Sequence, residues 1–100
     1  MSPRPLGDDE VRRELSRLSG WTGDRHRIRR TVTLPPDRVR VLLDHVDEAQ
    51  RELNHHAQID ERPDGVHFTV WTHTVDAVTD YDLALAGRID EAVDAVGSAG

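Results

Sequence analysis

Residues 35–57 read PPDRVRVLLDHVDEAQRELNHHA, and this stretch contains the clearest helix signal of the chain. Its apolar residues recur every three or four positions, as they do along the buried face of an α-helix: Val39, Leu42, Leu43, Val46, Ala49 and Leu53. Pro35 and Pro36 stand at its start. Proline is tolerated there because the backbone N–H groups of the first helical turn have no intrahelical acceptor, so the missing N–H costs no hydrogen bond. We therefore predict a helix that opens at the two prolines and continues to about residue 54.

The chain before this helix is predicted to form a lead-in, a helix and a strand. Residues 1–7 contain two prolines and a glycine and are predicted to be disordered. Apolar residues then have helical spacing over residues 8–18, with Asp8 able to cap the start and Gly20 placed to end the helix. Residues 26–34 alternate between polar and apolar side chains, which is typical of a half-buried strand.

The chain after the long helix is predicted to form a hairpin and a last helix. Residues 58–61 and 66–73 are the two strands, and the turn signal Pro-Asp-Gly at 63–65 joins them. The last helix is predicted to begin near Thr79, because Thr79 and Asp82 have the spacing of a capping box. Its buried face is predicted to consist of small and aliphatic residues: Leu85, Ala86, Ile89, Ala92 or Val93, and Val96.

The order of these elements predicts the fold class. Helix, strand, helix, strand, strand, helix most simply forms an antiparallel sheet with the helices gathered on one face, an α+β domain. We expect a single domain over residues 8–97. The face or edge of the sheet without helices would remain available to a partner subunit.

Composition excludes several classes of function. The 100 residues include no cysteine, so disulfides, thiolate catalysis and cysteine-based metal sites are excluded. The net charge is −6, which disfavours general nucleic-acid binding because phosphate neutralisation supplies most of that affinity. We find no apolar run near the ~20 residues of a membrane span and no signal peptide, so we expect a cytoplasmic protein. A small core with only 36% hydrophobic residues also favours self-association.

Histidines are the candidate chemical groups. His55 and His56 follow the long helix, His73 follows the long strand, and Asp82 lies near the start of the last helix. The ends of elements converge at one rim of a small sheet, so these four side chains are expected to line one pocket. Imidazole both donates and accepts protons near neutral pH, so such a cluster suits a reaction made of proton transfers.

Other interpretations of the histidines remain open at this point. Each histidine alone is more often a structural or surface residue, and a pair at a helix end interacts favourably with the helix dipole. A zinc site of three histidines is chemically feasible. However, adjacent helical residues point about 100° apart and the chain has no HExxH motif, so we expect no metal. His67 is expected to be peripheral, and His26 and His45 to be solvated.

Three motifs at fixed spacing resemble those of the pterin-4a-carbinolamine dehydratase family. They are Asn54-His55-His56-Ala57, Thr72-His73, and Asp82-x-x-Leu85-Ala86-x-x-Ile89-Asp90. His73 follows His55 by 18 positions, and Asp82 follows His73 by 9. The resemblance covers about residues 10–95, including Trp21 before the first strand.

The resemblance implies a fold, a reaction and a set of residues. The implied fold is a four-stranded antiparallel sheet with three helices packed on one face, assembled into homodimers or homotetramers. The implied reaction is dehydration of a 4a-hydroxytetrahydropterin to the quinonoid dihydropterin, without a metal or other cofactor. The resemblance makes His55, His56 and His73 catalytic, and we expect His56 and His73 to act as acid and base while His55 positions the substrate. Asp82, Thr72 and Trp71 are expected to bind or orient the substrate.

Two alternatives remain. The chain differs from the family pattern at Arg51, where an acidic residue is usual, at Ala57, where proline is usual, and near Pro63, where an aromatic residue is usual. These differences favour a non-catalytic dimerisation or assembly module with the same fold. The other alternative is an unrelated histidine-metal enzyme.

Overall fold

The antiparallel sheet predicted for this chain is present and has four strands. The computed structural model describes residues 3–18 and 20–98. Within these residues the elements are α1 (Asp8–Leu15), β1 (Thr22–Gly23), β2 (Ile28–Val32), α2 (Pro36–Leu53), β3 (Gln58–Arg62), β4 (Gly65–Val70) and α3 (Asp80–Ser98). The strands lie in the order β1-β2-β4-β3, and every neighbouring pair is antiparallel. The predicted α+β fold is therefore confirmed.

Alternation along β4 places the core on one face of the sheet. Val66, Phe68 and Val70 are buried, while the residues between them are partly exposed. Ile28 and Val32 of β2 lie opposite Val70 and Val66 in the ladder and are buried with them. Phe68 is fully buried at the centre of this layer and is the largest side chain there.

The three helices cover this apolar face of the sheet. Their buried side chains join the same core as the strands: Val11 from α1; Leu42, Val46 and Ala49 from α2; Leu85, Ala86, Ile89, Ala92 and Val96 from α3. The predicted stripe of α2 is thus confirmed, with Val39, Leu43 and Leu53 partly buried at its margin. None of the described helices is both long and apolar enough to cross a bilayer.

The carboxylate of Asp90 on α3 binds side chains from β2 and from the segment before β1. Arg30 shares the core-facing side of β2, and its guanidinium lies 2.5 Å from Asp90 Oδ1. The indole N–H of Trp21 donates to the same oxygen at 2.6 Å. Both charged side chains are about four-fifths buried, so this ion pair is largely shielded from water. It accounts for an arginine at a position where alternation along the strand predicts an apolar residue.

The structure corrects the predicted lead-in and the end of α1. Leu6 is buried in the core, and its N–H donates to the carbonyl of Val78 at 3.0 Å. The lead-in is therefore ordered from residue 3, whereas Met1 and Ser2 lie outside the described residues. Helix α1 ends at Leu15 rather than at residue 18. Strand β1 was absent from the residue pattern because two residues are too short to show alternation.

Candidate active site

The end of α2 turns the histidine pair away from the helix axis. Asn54 adopts a left-handed conformation, with φ 51° and ψ 46°, which stops the helix after Leu53. Asparagine tolerates this conformation better than most residues, because its short polar side chain can bond locally. The N–H of His55 then bonds the carbonyl of Gln50 at 3.0 Å. His55 and His56 therefore lie outside the helix, and the angular separation of helical neighbours does not apply to them.

A buried carboxylate holds His55. Asp82 is fully buried, and its Oδ1 lies 2.5 Å from Nε2 of His55. Its Oδ2 accepts from the hydroxyl of Thr72 at 2.8 Å and from the backbone N–H of Thr79 at 2.9 Å. The hydroxyl of Thr79 accepts from the N–H of Tyr81 at 3.3 Å, whereas the N–H of Asp82 bonds the carbonyl of Thr79. Thr79 and Asp82 thus cap the helix, but only the Asp82 half of the predicted capping box forms. An ionised carboxylate only accepts hydrogen bonds, so a bond from His55 to ionised Asp82 requires a proton on Nε2.

A short loop presents His73. Thr72 and Ala77 pair across it, with the N–H of Thr72 donating to the carbonyl of Ala77 at 2.9 Å. The His73 side chain is exposed, and its ring stacks on Trp71 with centroids 4.4 Å apart and an angle of 25°. Stacking on a large rigid indole restricts the orientations available to the imidazole.

The three histidines predicted as catalytic line one open cleft of about 620 Å³. The lining comprises Pro3, Leu53, Asn54, His55, His56, Thr72, His73, Thr74 and Tyr81. Sequence reasoning missed Tyr81, which is 47% exposed and whose ring centroid is 5.9 Å from that of His55. An aromatic residue beside the capping carboxylate was the available signal, since the chain has only four aromatic residues.

The other predicted site residues take different positions. Thr72 reaches the cleft wall but is mostly buried, whereas Asp82 is fully buried and Trp71 lies beneath His73 outside the lining. His67 lies away from the cleft, where its two ring nitrogens bond Thr31 and Asp64. In the described part of the chain, no three acidic or histidine side chains form a group that could hold a metal ion.

Two of the three departures from the family pattern lie outside the cleft. Arg51 is exposed and pairs with Asp47, one helical turn earlier, at 2.5 Å. Arg51 therefore adds no positive charge to the lining of the cleft. Pro63 lies in the turn between β3 and β4 and is also absent from the lining.

The third difference from the family pattern, Ala57, makes a hydrogen bond through its backbone N–H. Its N–H donates to the side-chain oxygen of Gln50 at 2.8 Å, and Gln50 is only 7% exposed. Proline at this position has no N–H and cannot make the bond. The hydrogen bond thus restrains the segment after the histidine pair, although Ala57 replaces the usual proline.

We expect Ala57→Pro to destabilise the protein by roughly 1–2 kcal/mol. Loss of the donor leaves a buried amide oxygen without its partner, at a cost of about 1–3 kcal/mol. The reduced entropy of the unfolded chain offsets this by only about 0.4–1 kcal/mol. Urea unfolding measures the difference, and the double variant Gln50→Leu, Ala57→Pro is the matched control because it removes both partners. A stabilised single variant would contradict the role of the bond.

The fold and the cleft together define a small α+β protein with three histidines around one cleft. Comparison with known proteins is consistent with this class. The sequence model of the family described as "Pterin 4 alpha carbinolamine dehydratase" matches residues 4–92. The chain therefore belongs to the pterin 4 alpha carbinolamine dehydratase family.

Individual relatives cover most of the chain. A protein of Mycobacteroides abscessus is 38% identical over 90 residues, covering 85% of this chain and 92% of the relative. A protein of Streptomyces avermitilis is 36% identical over 93 residues, covering 91% and 92%. Both bear the name "Putative pterin-4-alpha-carbinolamine dehydratase".

A solved structure has the same fold. The crystal structure of a transcriptional coactivator/pterin dehydratase from Brucella melitensis superposes with a TM-score of 0.85. The match covers 90% of this chain and 99% of that one, at 22% identity. At this identity the likeness establishes the fold alone.

Proposed function

We propose that this chain dehydrates 4a-hydroxytetrahydropterins to quinonoid dihydropterins, as a hydro-lyase in tetrahydropterin recycling. The observation that carries the proposal is the convergence of His55, His56 and His73 on one cleft, with His55 fixed by a buried carboxylate. The reaction moves two protons and breaks one C–O bond. Imidazoles can supply both proton transfers near neutral pH, so the proposal requires no metal or other cofactor.

The roles follow from the exposure of each ring. We assign acid and base to His56 and His73, whose side chains are exposed at the cleft. One protonates the 4a-hydroxyl, so that the C4a–O bond breaks and water leaves. The other takes the N5 proton, and the electron pair of the N–H bond forms the C4a=N5 double bond. Exchange with solvent then restores the two imidazoles to their starting states.

His55 is assigned to positioning. Its side chain is 13% exposed, and Nε2 is used by Asp82, so only Nδ1 remains to meet a substrate. Asp82 and Thr72 then act through His55 rather than by touching the pterin. Trp71 acts in the same indirect way through His73, since their rings are stacked.

We extend the proposal to assembly and location. The helix-free face of the sheet and the edge strand β3 are suited to a partner copy, as a homodimer or homotetramer, because an edge strand exposes unpaired backbone groups. A cytoplasmic location accords with the lack of cysteine, and a net charge of −6 disfavours nucleic-acid partners.

A titration with a stable 7,8-dihydropterin tests whether the cleft binds pterins. We expect the ring proton resonances of His55, His56 and His73 to shift on saturation. His26 and His45 serve as internal controls because they do not line the cleft. Shifts at the controls alone, or no saturable shifts, would contradict a pterin site in this cleft. Binding without turnover would instead favour the non-catalytic module.

A further inference from the structure

The side chain of Arg27 contacts both ends of the loop that carries His73. Its guanidinium carbon lies 4.2 Å from the centroid of the Trp71 ring. Its Nη2 donates to Asp76 Oδ1 at 2.8 Å. Trp71 comes two residues before His73, and Asp76 comes three residues after it, so a single side chain spans the loop.

Backbone hydrogen bonds between Thr72 and Ala77, and from the N–H of Val78 to the carbonyl of Arg25, close the base of the loop, whereas the backbone bonds of its tip lie within the loop. Asp76 has a positive φ of 48°, a left-handed conformation that few residues other than glycine, asparagine and aspartate adopt. The N–H of Asp76 bonds the carbonyl of His73 at 3.2 Å, and the N–H of Val75 bonds that of Thr72 at 3.3 Å. Both bonds are long and lie within the loop itself. The contacts of Arg27 therefore add the link between the tip of the loop and the sheet.

Hydrogen bonds of the turn before β2 restrain the backbone of Arg27. Arg27 ends a turn in which Asp24 Oδ1 accepts from the N–H of His26 at 2.8 Å and from that of Arg27 at 3.3 Å. These backbone bonds lower the pKa of Asp24, so its carboxylate stays ionised and keeps accepting. The N–H of Asp24 also donates to the carbonyl of Arg27 at 2.9 Å, immediately before β2 begins. Arg27 is thus the residue directly before strand β2 of the sheet.

From this arrangement we infer that Arg27 is a positioning residue for His73. The guanidinium lies over the Trp71 ring, the indole stacks on the imidazole, and the Asp76 pair fixes the far side of the loop. A cation over an indole is the most favourable pairing of this kind, and a planar guanidinium suits it better than an ammonium. The inference deepens the proposed function, because it names the residue that sets the orientation of one catalytic imidazole.

The test compares Arg27→Ala with Arg29→Ala, an exposed arginine of β2 two residues further on. The His73 ring protons of the wild type should be shifted upfield by the Trp71 ring. In Arg27→Ala we expect them to move toward the values of an unstructured histidine, while those of His55 stay unchanged. We expect kcat to fall about 10- to 100-fold with KM changed less than about threefold, as for a misplaced catalytic group. Arg29→Ala should alter neither quantity.

Two further variants keep the test decisive if Arg27→Ala folds poorly. Asp76→Asn tolerates the left-handed backbone but loses the ion pair, and we expect a partial movement of the His73 resonances. Arg27→Lys keeps the charge without the planar stack, and we expect an intermediate result. His73 resonances at wild-type positions in all three folded variants would overturn the inference. This readout needs no turnover, so it stands apart from failure of the proposed function.

Discussion

Replacing His56 or His73 by alanine is expected to lower kcat/KM for pterin dehydration by about 10²- to 10⁴-fold, the usual contribution of a general acid or base. Both rings line the cleft and are exposed to a ligand within it. Neither C–O cleavage nor removal of the N5 proton proceeds readily when its proton donor or acceptor is water. The two variants should nevertheless fold normally, because exposed side chains contribute little to the core.

The measurement is the steady-state rate of each variant after subtraction of the spontaneous rate. His45→Ala is the matched control, since His45 is an exposed histidine of α2 outside the cleft, and it should retain wild-type activity. A loss below about tenfold for both cleft variants, roughly 1.4 kcal/mol of transition-state stabilisation, would show that the assigned roles are wrong.

Substitution of Asp82 is expected to reduce both stability and activity. Its carboxylate receives four hydrogen bonds, from His55, from Thr72, and from the backbone N–H and the hydroxyl of Thr79, and it is fully buried. Asp82→Ala removes the shared acceptor, and each buried donor that is left without its partner costs about 1–3 kcal/mol. A domain of this size has about 5–15 kcal/mol in total, so we expect a folded but much weakened protein.

Asp82→Asn separates the two effects. The amide keeps the shape of the carboxylate. Its oxygen is expected to face the N–H of Thr79, which can only donate, so its NH₂ group faces Nε2 of His55 and two donors then meet. We therefore expect the His55 ring to rotate or change tautomer, with kcat/KM reduced about 10- to 100-fold and a smaller loss of stability. Urea unfolding and the dehydration assay at one temperature measure both quantities.

Asp80→Asn is the matched control for this pair, because Asp80 is exposed in the same helical turn. It should cost less than about 1 kcal/mol, the usual value of a charge near a helix N-terminus. If Asp82→Asn behaved like Asp80→Asn in both measurements, the buried carboxylate would have no part in orienting His55.

Local patterns predicted most of the fold. The stripe from Val39 to Leu53 and the alternation around Phe68 are set by neighbouring residues, so periodicity identified α2 with accurate bounds and β4 with an end three residues too late. Burial of Leu6 could not be predicted in this way. Its partner is the backbone of Val78, far along the chain, and the surrounding prolines and glycine are typical of a flexible segment.

The convergence of His55, His56 and His73 on one cleft was predictable from the sequence, but the arrangement of their partners was not. Fixed spacing of His55, His73 and Asp82 identified the cluster, yet it left open whether Asp82 binds the substrate or orients it. Burial of that carboxylate depends on how α3 packs against the sheet, which no local pattern encodes. The hydrogen bond between Gln50 and Ala57 likewise could not be predicted from a local pattern. It restrains the backbone at the position where proline is usual.

The rate of dehydration of a 4a-hydroxytetrahydropterin, generated in situ, tests the central claim most directly. Wild-type protein should accelerate formation of the quinonoid dihydropterin well above the spontaneous rate, in proportion to protein concentration. The double variant His56→Ala, His73→Ala should return the rate to the spontaneous value. A wild-type rate equal to the spontaneous one, with correctly folded protein, would contradict the assignment of this cleft as a dehydratase active site.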